Sequence, residues 1–358
     1  TFLGYLSFSD PLKKTAAEAV NLTQKLGLQI KIVTGDSKEV AAAVAKEIGL
    51  IGDVKEVIIG ETLNSYAQDD FVKACESFSV FARVSPQTKF KIVDALQSKY
   101  VTAFLGEGIN DAPALKAANV AIAVKDASDV SREAADIILL KKDLKVIIDG
   151  IKTGRNIFSN INKYLKCTLS SNFGNFYSIA LISLAIPFLP MLPVQILLVN
   201  LLSDFPLIAI ASDKVAVAEL KKPKAYQLNK FIPLISLLAV ISAIFDLLFF
   251  GIFRSVPASL LQTLWFILSI LTEIVLVFSV RTFGFFAKAK LPSLPLVFVS
   301  LLTFLITVFL PFSNFGQQTF HFATPPVFYL AIVLFLTVFY FIVSEIVKLA
   351  YFRFHFTR

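Results

Sequence analysis

Reactive side chains are scarce in this chain of 358 residues, which holds two Cys, two His, one Met and one Trp. Cys75 and Cys167 lie in unrelated contexts, so the sequence offers neither a disulfide framework nor metal-ligand spacing, and this fits a cytosolic face. His321 and His355 are isolated, and neither is expected to be a ligand. Chemistry based on thiols or imidazoles is therefore not indicated.

No signal peptide is predicted from the first residues of the given sequence, and its first residue is not methionine. It opens on Thr1 inside an apolar run, and its single methionine, Met191, lies deep in the apolar part. Natural chains normally begin with Met, so we expect a fragment of a longer protein or a product cut from one. A processed mature chain is the alternative, but no processing signal supports it.

Charged residues are few as well. They make up 17% of the chain, against 56% hydrophobic residues and a mean hydropathy of +0.72, which is too apolar for a soluble domain. Residues 1 to about 150 have the composition of ordinary α/β protein, whereas long, nearly uncharged runs dominate from about residue 165 onward. Runs of roughly 18 or more apolar residues are candidate transmembrane helices.

Six such runs predict an all-α six-helix transmembrane bundle over residues 166–348, followed by a tail at 349–358. The predicted spans are about 166–187, 193–211, 231–252, 259–280, 293–311 and 326–347. An even number of spans returns the tail to the side on which the soluble domain lies. The sequence therefore predicts a multi-pass protein of the cell membrane.

The charge of the connecting loops predicts the orientation of this bundle. One set of connections and the tail hold Lys214, Lys221, Lys222, Lys224, Lys230, Arg281, Lys288, Lys290, Lys348, Arg353 and Arg358. The other set holds Arg254 and no lysine. The positive-inside rule then places the soluble domain and the tail in the cytosol. It also accounts for the net charge of +8 without a nucleic-acid partner.

Residues 1–147 alternate predicted strands with predicted helices, which is typical of a Rossmann-type parallel sheet covered by helices. Strands are expected at 28–34, 79–84, 101–106, 120–124 and 137–140, and helices at 10–25, 38–49, 86–99 and 127–136. A long helix without a convincing breaker follows; its part at 148–165 is predicted to be a stalk between the soluble domain and the bilayer. Such a rod could couple chemistry in one part to movement in the other.

The three most polar turns, TGDS, RVSPQTK and GEGIND, fall at carboxyl ends of predicted strands, where ligands of parallel sheets bind. Thr34 and Gly35 offer a hydroxyl and backbone N–H groups at a helix N-terminus, which favours an anion. Lys89 can lean back toward the same strand ends. TGD alone is a common turn, and a lone lysine is more often a solvated surface residue, but the elements occur together and in order.

The third turn carries two carboxylates and an amide just past a buried strand. Glu107 and Asp111 can hold Mg²⁺ directly or through water, and Asn110 can fix an oxygen. Phosphoryl transfer through an aspartate needs such a metal, a positive charge, hydrogen-bond donors and a nucleophile. The sequence predicts all of these except the nucleophile.

These segments closely resemble motifs of the P-type ATPases, the cation pumps that work through a phospho-aspartate. GEGINDAPAL is similar to their GDGxNDAPAL hinge motif, DPLKK to their DPxR-type motif, VTGDS to their TGD motif, and FARVSPQTKFKIV to their lysine segment. The resemblance covers essentially the whole chain. It implies a haloacid-dehalogenase-like phosphorylation domain and the cofactors Mg²⁺ and ATP.

The resemblance also implies a role for each residue of the soluble site. Thr34, Gly35 and Lys89 would contact the phosphoryl group. Glu107 would be the ligand of the catalytic Mg²⁺, with Asn110 and Asp111 beside it. Asp36 and Asp10 would shape the site.

Two departures from the family pattern matter. Glu107 stands where the family has Asp, and because Mg²⁺ demands octahedral geometry at about 2.0–2.1 Å, the longer side chain must fold back or bind through water. No DKTGT-type sequence with a nucleophilic Asp occurs in the chain. In the family that segment lies upstream, with the nucleotide-binding domain that holds most of the ATP, the actuator domain and the earlier membrane helices. These residues alone are therefore not expected to pump.

Polar residues in two neighbouring spans predict an ion path, because polar groups within a membrane are costly and usually functional. Asn172 and Asn175 share one helix face, as do Asn200 and Asp204, with Ser203 beside them. Their oxygens suit a hard cation. Ordinary interhelical hydrogen bonding would explain the serines, but not a carboxylate in the middle of a span.

The segments YLKCTLSSNFGN, IPFLPMLP, NLLSDF and SAIFD resemble the magnesium-transporting branch of the family. Calcium pumps carry Glu where this chain has Asn175, and fewer carboxylates suit Mg²⁺, which keeps much of its water. Asp246 and Glu273 are further acids within spans. Asp246 is interpreted as structural, while Glu273 is open as a ligand, a proton-bearing group or a paired carboxylate.

The leading hypothesis is the carboxyl-terminal part of an ATP-driven cation pump, with Mg²⁺ as the transported ion. The expected partners are the transported cation, the lipid bilayer and the remaining half of the pump. Transport of Ca²⁺ or a monovalent ion is an alternative. Others are a membrane-anchored phosphatase, and a split or degenerate pump half that acts as a permease or accessory subunit.

Overall fold

The computed structural model describes residues 12, 15–141, 143–220, 223 and 228–356. Its contacts divide the chain into two compact units, Thr1–Thr153 and Gly154–Arg358. The predicted start of the first helix at Asp10 lies outside the described residues.

The first unit alternates strands and helices, as the sequence predicts. Its strands are β1 (Ile32–Val33), β2 (Val57–Ile59), β3 (Val80–Ala82), β4 (Ala103–Gly106), β5 (Val120–Val124) and β6 (Ile137–Leu139). Its helices are α1 (Ala16–Lys25), α2 (Lys38–Glu47), α3 (Gly60–Asn64), α4 (Gln68–Ser77), α5 (Pro86–Gln97), α6 (Ala112–Ala117) and α7 (Asp129–Ala134).

All strand pairs in the described residues are parallel, but they form two three-stranded sheets, ordered β1-β3-β2 and β4-β5-β6. Ile32 pairs with Val80 in the first sheet, and Ala103 pairs with Val120 in the second. No element is predicted from the sequence between residues 50 and 78, yet β2, α3 and α4 lie there. The strand β2 is only three residues long, too short to show a period of its own.

Serine caps place two helices directly after strands of the first sheet. The Ser37 hydroxyl accepts a hydrogen bond from Val40 N at the start of α2, and the Ser85 hydroxyl accepts one from Thr88 N at the start of α5. Pro86 occupies the first turn of α5, where its missing N–H costs nothing. The loops after β1 and β3 are therefore short and end in helix N-termini.

A buried apolar cluster holds α4 and α5 against the first sheet, with Leu63, Phe81 and Ile92 among its members. Cys75 belongs to the same cluster. Burial raises the pKa of its thiol to about 11, so Cys75 is a core thiol without thiolate reactivity.

The second unit is helical. The long helix α8 (Leu144–Ser183) begins before the boundary between the units and ends beyond it. The other helices are α9 (Pro193–Ala209), α10 (Val217–Leu220), α11 (Leu228–Phe253), α12 (Ala258–Val280), α13 (Leu294–Phe309), α14 (Asn314–Phe320) and α15 (Val327–Phe356). The predicted helix without a breaker is confirmed in α8.

Five helices in the described part of the chain are long and apolar enough to cross a membrane: Pro193–Ser212, Phe231–Phe253, Ala258–Val280, Leu294–Phe312 and Val327–Phe354. They match five of the six predicted spans. The first predicted span falls in α8, which ends at Ser183 and not at 187 because a proline-bearing turn follows. The serines and asparagines at 170–175 lower the hydropathy of this segment, so a sixth span stays a prediction.

The helix α12 forms the centre of the second unit. It is buried along nearly all of its length and packs against α9, α11, α13 and α15. Trp265 and Phe266 of this helix are fully buried, as is Phe249 of α11 in the same apolar cluster. A helix that is apolar all round is expected at such a position.

A buried ion cluster lies beside the apolar core of this unit. The Asp213 carboxylate accepts hydrogen bonds from Lys163 Nζ at 3.0 Å and from Arg281 Nη2 at 3.0 Å. Ser293 N donates to the same carboxylate at 3.3 Å. Burial alone would raise the pKa of Asp213, but the bonds from Arg281 and Lys163 hold that pKa below its ordinary value. The cluster joins α8, α12 and the start of α13 to the segment after α9.

A second buried ion pair connects the carboxyl-terminal helix α15 to its neighbours. Lys348 Nζ lies 2.7 Å from Glu345 Oε2 and also donates to the Ser279 carbonyl at 2.8 Å. Phe286 N donates to Glu345 Oε1 at 2.9 Å. The pair therefore fixes α15 to the end of α12 and the segment after it.

Asp213→Ala should destabilise the protein strongly, because it leaves Lys163 and Arg281 as unpaired buried cations. Loss of one partner of a buried pair costs roughly 3–5 kcal/mol. The midpoint of thermal unfolding in detergent measures the effect. Asp149→Ala, which removes an exposed partner of Lys152, is the control and should shift the midpoint little. Equal shifts for both variants would contradict a stabilising cluster.

Candidate functional site

The turn after β1 is fixed to the end of β3. The Thr34 hydroxyl donates to Asp36 Oδ2 at 2.7 Å and accepts from Asp36 N at 3.1 Å. Arg83 N donates to the Asp36 carbonyl at 2.8 Å, and Val84 N donates to the Thr34 carbonyl at 3.0 Å. Gly35 and Asp36 are exposed. The turn is thus held in place while its outer edge stays open to solvent.

An ion pair connects α5 to the loop after β4. Lys89 Nζ lies 2.7 Å from Asp111 Oδ1, and the Glu107 and Gly108 N–H groups donate to Asp111 Oδ2 at 3.2 Å each. Burial would raise the pKa of Asp111, but the hydrogen bonds from Lys89 and from the backbone hold that pKa below its ordinary value. Asp111 therefore orders its own loop and holds the Lys89 ammonium beside it.

The same loop is supported from its other side by α7. Ser128 N donates to the Glu107 carbonyl at 2.9 Å, and the Ser131 hydroxyl donates to the Gly108 carbonyl at 2.6 Å. At Gly106, a Cβ would lie 2.7 Å from Asp111 Cβ, so no other residue fits there without moving Asp111. The backbone of the loop is therefore fixed, and the Glu107 and Asn110 side chains are exposed.

The described residues contain no group of three or more His, Cys, Asp or Glu that could enclose a metal ion. The donors present fit an ion that is completed by water and phosphate oxygens, as Mg²⁺ usually is. Glu107 supplies the exposed carboxylate, whereas both oxygens of Asp111 already accept hydrogen bonds. The metal roles of these residues stay predictions, and Asp10 lies outside the described residues.

Arg83 lies beside the turn after β1, where its N–H donates to the Asp36 carbonyl, and the sequence does not single it out. Its φ of 49° is in the left-handed region, which is uncommon for a side chain of this size. It lies at the carboxyl end of β3 with an exposed side chain, and a Cβ on Gly60 would lie 2.6 Å from its carbonyl oxygen. Such strained residues cluster at functional sites, but nothing in the residue type signals the backbone conformation.

In the second unit, the structure brings together several residues of the predicted ion path. Asn175 Nδ2 of α8 donates to Glu273 Oε1 of α12 at 2.9 Å. Ser171 of α8 and Ser203 of α9 also interact with the Glu273 carboxyl group, and Asp204 is close enough to act on it electrostatically. Three helices therefore converge on Glu273, which is buried.

Three other predicted ion-path residues of α8 and α9 are not buried. Asn172, Asn200 and Asp204 are exposed in this chain. The Ser203 hydroxyl donates to the Asn200 carbonyl at 3.3 Å. The polar group thus has a buried part around Glu273 and an exposed part on α8 and α9.

Asp246 of α11 is buried and bonded to two neighbouring helices. Its Oδ2 accepts from the Ser178 hydroxyl of α8 at 2.5 Å, and its Oδ1 accepts from Trp265 Nε1 of α12 at 2.9 Å. The interpretation of Asp246 as structural is consistent with these bonds. Its partners were not predictable, since serine and tryptophan in apolar runs carry no specific signal.

Two family models match the chain. Residues 188–350 match the family described as cation transporting ATPase, C-terminus, and residues 1–119 match the haloacid dehalogenase-like hydrolases. The chain is also 39% identical over 318 residues to "Magnesium-transporting ATPase, P-type 1" of Escherichia coli (strain K12), which covers 87% of this chain and 35% of that protein. The chain belongs to the P-type cation-transporting ATPases. The resemblance inferred from the motifs is confirmed.

Other P-type ATPases are similar too. "Magnesium-transporting ATPase, P-type 1" of Salmonella typhimurium (strain LT2) is 40% identical, with 87% of this chain and 35% of that protein covered. "Calcium-transporting ATPase 1" of Bacillus cereus is 36% identical over 215 residues, 59% of this chain and 24% of that protein. The chain spans about a third of the length of the magnesium-transporting relatives it matches.

Gly106→Ala should disturb the loop after β4 by driving Asp111 away from Lys89. Forced overpacking of this kind costs roughly 1–3 kcal/mol, seen as a lower midpoint of thermal unfolding. Gly150→Ala is the matched control, because nothing lies within 4 Å of a Cβ there, and it should stabilise its helix slightly. A Gly106→Ala protein as stable as the control would contradict the close approach of Asp111.

Proposed function

We propose that this chain is the phosphoryl-handling and ion-binding part of an ATP-driven pump that works through a phospho-aspartate and transports Mg²⁺. The observation that carries the proposal is the Lys89–Asp111 pair at 2.7 Å. It holds a cation beside the ordered GEGIND loop, where a phosphoryl group and its metal would meet. The names of the magnesium-transporting relatives support the choice of ion.

Each residue of the soluble site has a part in this proposal. The Gly35 N–H donates to a phosphoryl oxygen, the Thr34 hydroxyl donates to another once its proton turns away from Asp36 Oδ2, and the Lys89 ammonium offsets their charge. Asn110 fixes a further oxygen, and the Asp36 N–H keeps Thr34 oriented by donating to its hydroxyl oxygen. Glu107 holds Mg²⁺, which when bound supplies positive charge to the transferring group. Asp111 acts through Lys89 and the loop backbone.

The nucleophilic aspartate and most of the ATP site belong, in this proposal, to the rest of a longer pump. Among the described residues, β1 and β4 each pair with a strand on one side. A parallel strand between them would place its carboxyl end between Thr34 and Glu107. An aspartate at that end would lie beside both the phosphate donors and the metal ligand, as in-line attack requires.

For the transported ion, we propose a site around Glu273 that includes Asn175 and Ser203, with Asn172, Asn200 and Asp204 at its open side. It offers two carboxylates and several neutral oxygens, which suits an ion that keeps part of its water. An exposed Asp204 in contact with lipid would be costly. In our proposal, helices from the rest of the pump therefore cover this face. The excess of Lys and Arg in one set of loops supports a cytosolic position for the soluble unit.

Glu107→Gln in the complete protein should reduce formation of the phosphoenzyme by at least about tenfold, since even residues that only support a metal ligand cost about 10–100-fold. Glu107→Asp restores the family residue and should keep or raise the rate. Phosphoenzyme formation from labelled ATP measures both. A Gln variant that phosphorylates normally would exclude Glu107 as the metal ligand. A complete protein that forms no phosphoenzyme even with Glu107 or Asp at this position would favour a non-catalytic permease or accessory role.

Asp204→Asn should weaken ion binding and leave nucleotide binding unchanged, because the two sites lie in different units. ATP hydrolysis is measured in vesicles that contain the complete pump. The Mg-ATP concentration is constant on one side of the membrane, while the concentration of Mg²⁺, Ca²⁺, Mn²⁺ or K⁺ is varied on the other side. Vesicles with the pump in each of its two orientations are tested. Mg²⁺ should give the strongest stimulation of ATP hydrolysis. Stimulation by Ca²⁺ or K⁺ alone would exclude the magnesium assignment and favour another cation.

A further inference from the structure

Two contacts, one helical turn apart, lock α8 against α11. A Cβ on Gly174 of α8 would lie 2.7 Å from Ser242 Cβ and 3.4 Å from the Ala239 carbonyl of α11. The second contact is the hydrogen bond from Ser178 to Asp246. Small residues four apart let helices in a membrane approach closely. Both contacts advance by four residues along each helix, so α8 and α11 run in the same direction here.

Asp246 also connects α11 to α12. Its second carboxylate oxygen accepts from Trp265 Nε1 at 2.9 Å, and both Asp246 and Trp265 are buried. The Trp265 ring also packs edge-on against Phe250 of α11, with ring centroids 4.9 Å apart. Asp246 therefore joins α8 to α12 through α11, with a neutral donor on each of its oxygens.

The helices that Asp246 joins are those that carry the central pair of the proposed ion site. Ser178 lies three residues after Asn175 on α8, and Trp265 lies eight residues before Glu273 on α12. A rotation of α8 that breaks the Ser178 bond would also move Asn175 away from Glu273. In a close-packed interior such shifts are discrete and not gradual.

We propose that Asp246 is a positioning residue for cation binding: its bonds to Ser178 and Trp265 set the rotation of α8 against α12 and so keep Asn175 at Glu273. This inference rests on the ion site proposed above. Asp246 itself does not touch the ion. Its value to the site lies in its two hydrogen bonds and not in its charge.

The distinction between positioning and direct binding can be tested by two substitutions of similar size. In Asp246→Asn, the amide oxygen can accept from Trp265 and the amide nitrogen can donate to the Ser178 hydroxyl oxygen. The Ser178 proton then turns to the Gly174 carbonyl, which lies 2.9 Å from that oxygen. In Asp246→Leu, both bonds are lost. Positioning predicts that Asn replaces Asp and that Leu does not.

The experiment measures ATP hydrolysis by the complete pump in vesicles, as a function of Mg²⁺ on the side opposite to constant Mg-ATP. Asp246→Leu should raise the Mg²⁺ concentration for half-maximal activity by about tenfold, equal to about 1.4 kcal/mol of binding free energy, with the dependence on ATP unchanged. Asp246→Asn should match the unmodified protein.

Two milder variants keep the test valid if Asp246→Leu does not fold. Ser178→Ala and Trp265→Phe each remove one donor, and each should raise the Mg²⁺ requirement by less than Asp246→Leu. The control is Thr337→Val, which removes a buried hydroxyl that donates to the Val333 carbonyl of its own helix α15. This control should leave the Mg²⁺ requirement unchanged.

Each contrary result has a separate meaning. If Asp246→Asn is as impaired as Asp246→Leu, the charge is needed and positioning is wrong. If Asp204→Asn raises the Mg²⁺ requirement while Asp246→Leu, Ser178→Ala and Trp265→Phe do not, the ion site stands and the positioning role falls. If Asn175→Ala and Asp204→Asn also have no effect, the proposed ion site itself fails, and the inference built on it fails with it.

Discussion

Carboxylates that leave water must recover their lost hydration from other groups, and this constraint organises both units of the chain. In the first unit, Asp111 recovers it from Lys89 and two backbone N–H groups, and the loop takes its shape from those bonds. In the second unit, the Asp213 carboxylate is paired with two cations, and the Asp246 carboxylate accepts hydrogen bonds from two neutral donors. The Glu273 carboxylate accepts a hydrogen bond from a side-chain amide of another helix. The hydrogen bonds and ion pairs of each carboxylate therefore connect segments that are distant in sequence. The proposed sites lie beside such carboxylates.

Elements with a strong local signal could be predicted from the sequence. The helix α5 begins at Pro86, as predicted, and α8 is continuous, as the lack of breakers indicates. The polar turns after β1, β3 and β4 were also located correctly. The strand β2 was missed because three residues carry no period, and the division into two sheets could not be read because pairing depends on distant segments.

The candidate sites show the same limit. The residue types indicated a metal and a phosphoryl group near Glu107. They did not indicate that both carboxylate oxygens of Asp111 accept hydrogen bonds, one from Lys89 and the other from the backbone. The spacing of Asn172 and Asn175 indicated a polar helix face, whereas the meeting of Asn175 with Glu273, 98 residues away, is a result of packing. Short-range periodicity reveals which face of a helix is polar. It does not reveal which partner that face will find.

The buried cations of the second unit bear on how the protein enters the membrane. Arg281 and Lys348 count among the charges that predict the orientation of the loops, yet in the folded chain both are buried and bonded to carboxylates. The positive-inside rule acts on the chain while it is being inserted. The same two residues would thus have two roles in turn. They would first oppose the transfer of their own segments across the bilayer, and they would later stabilise the helix bundle once it has formed.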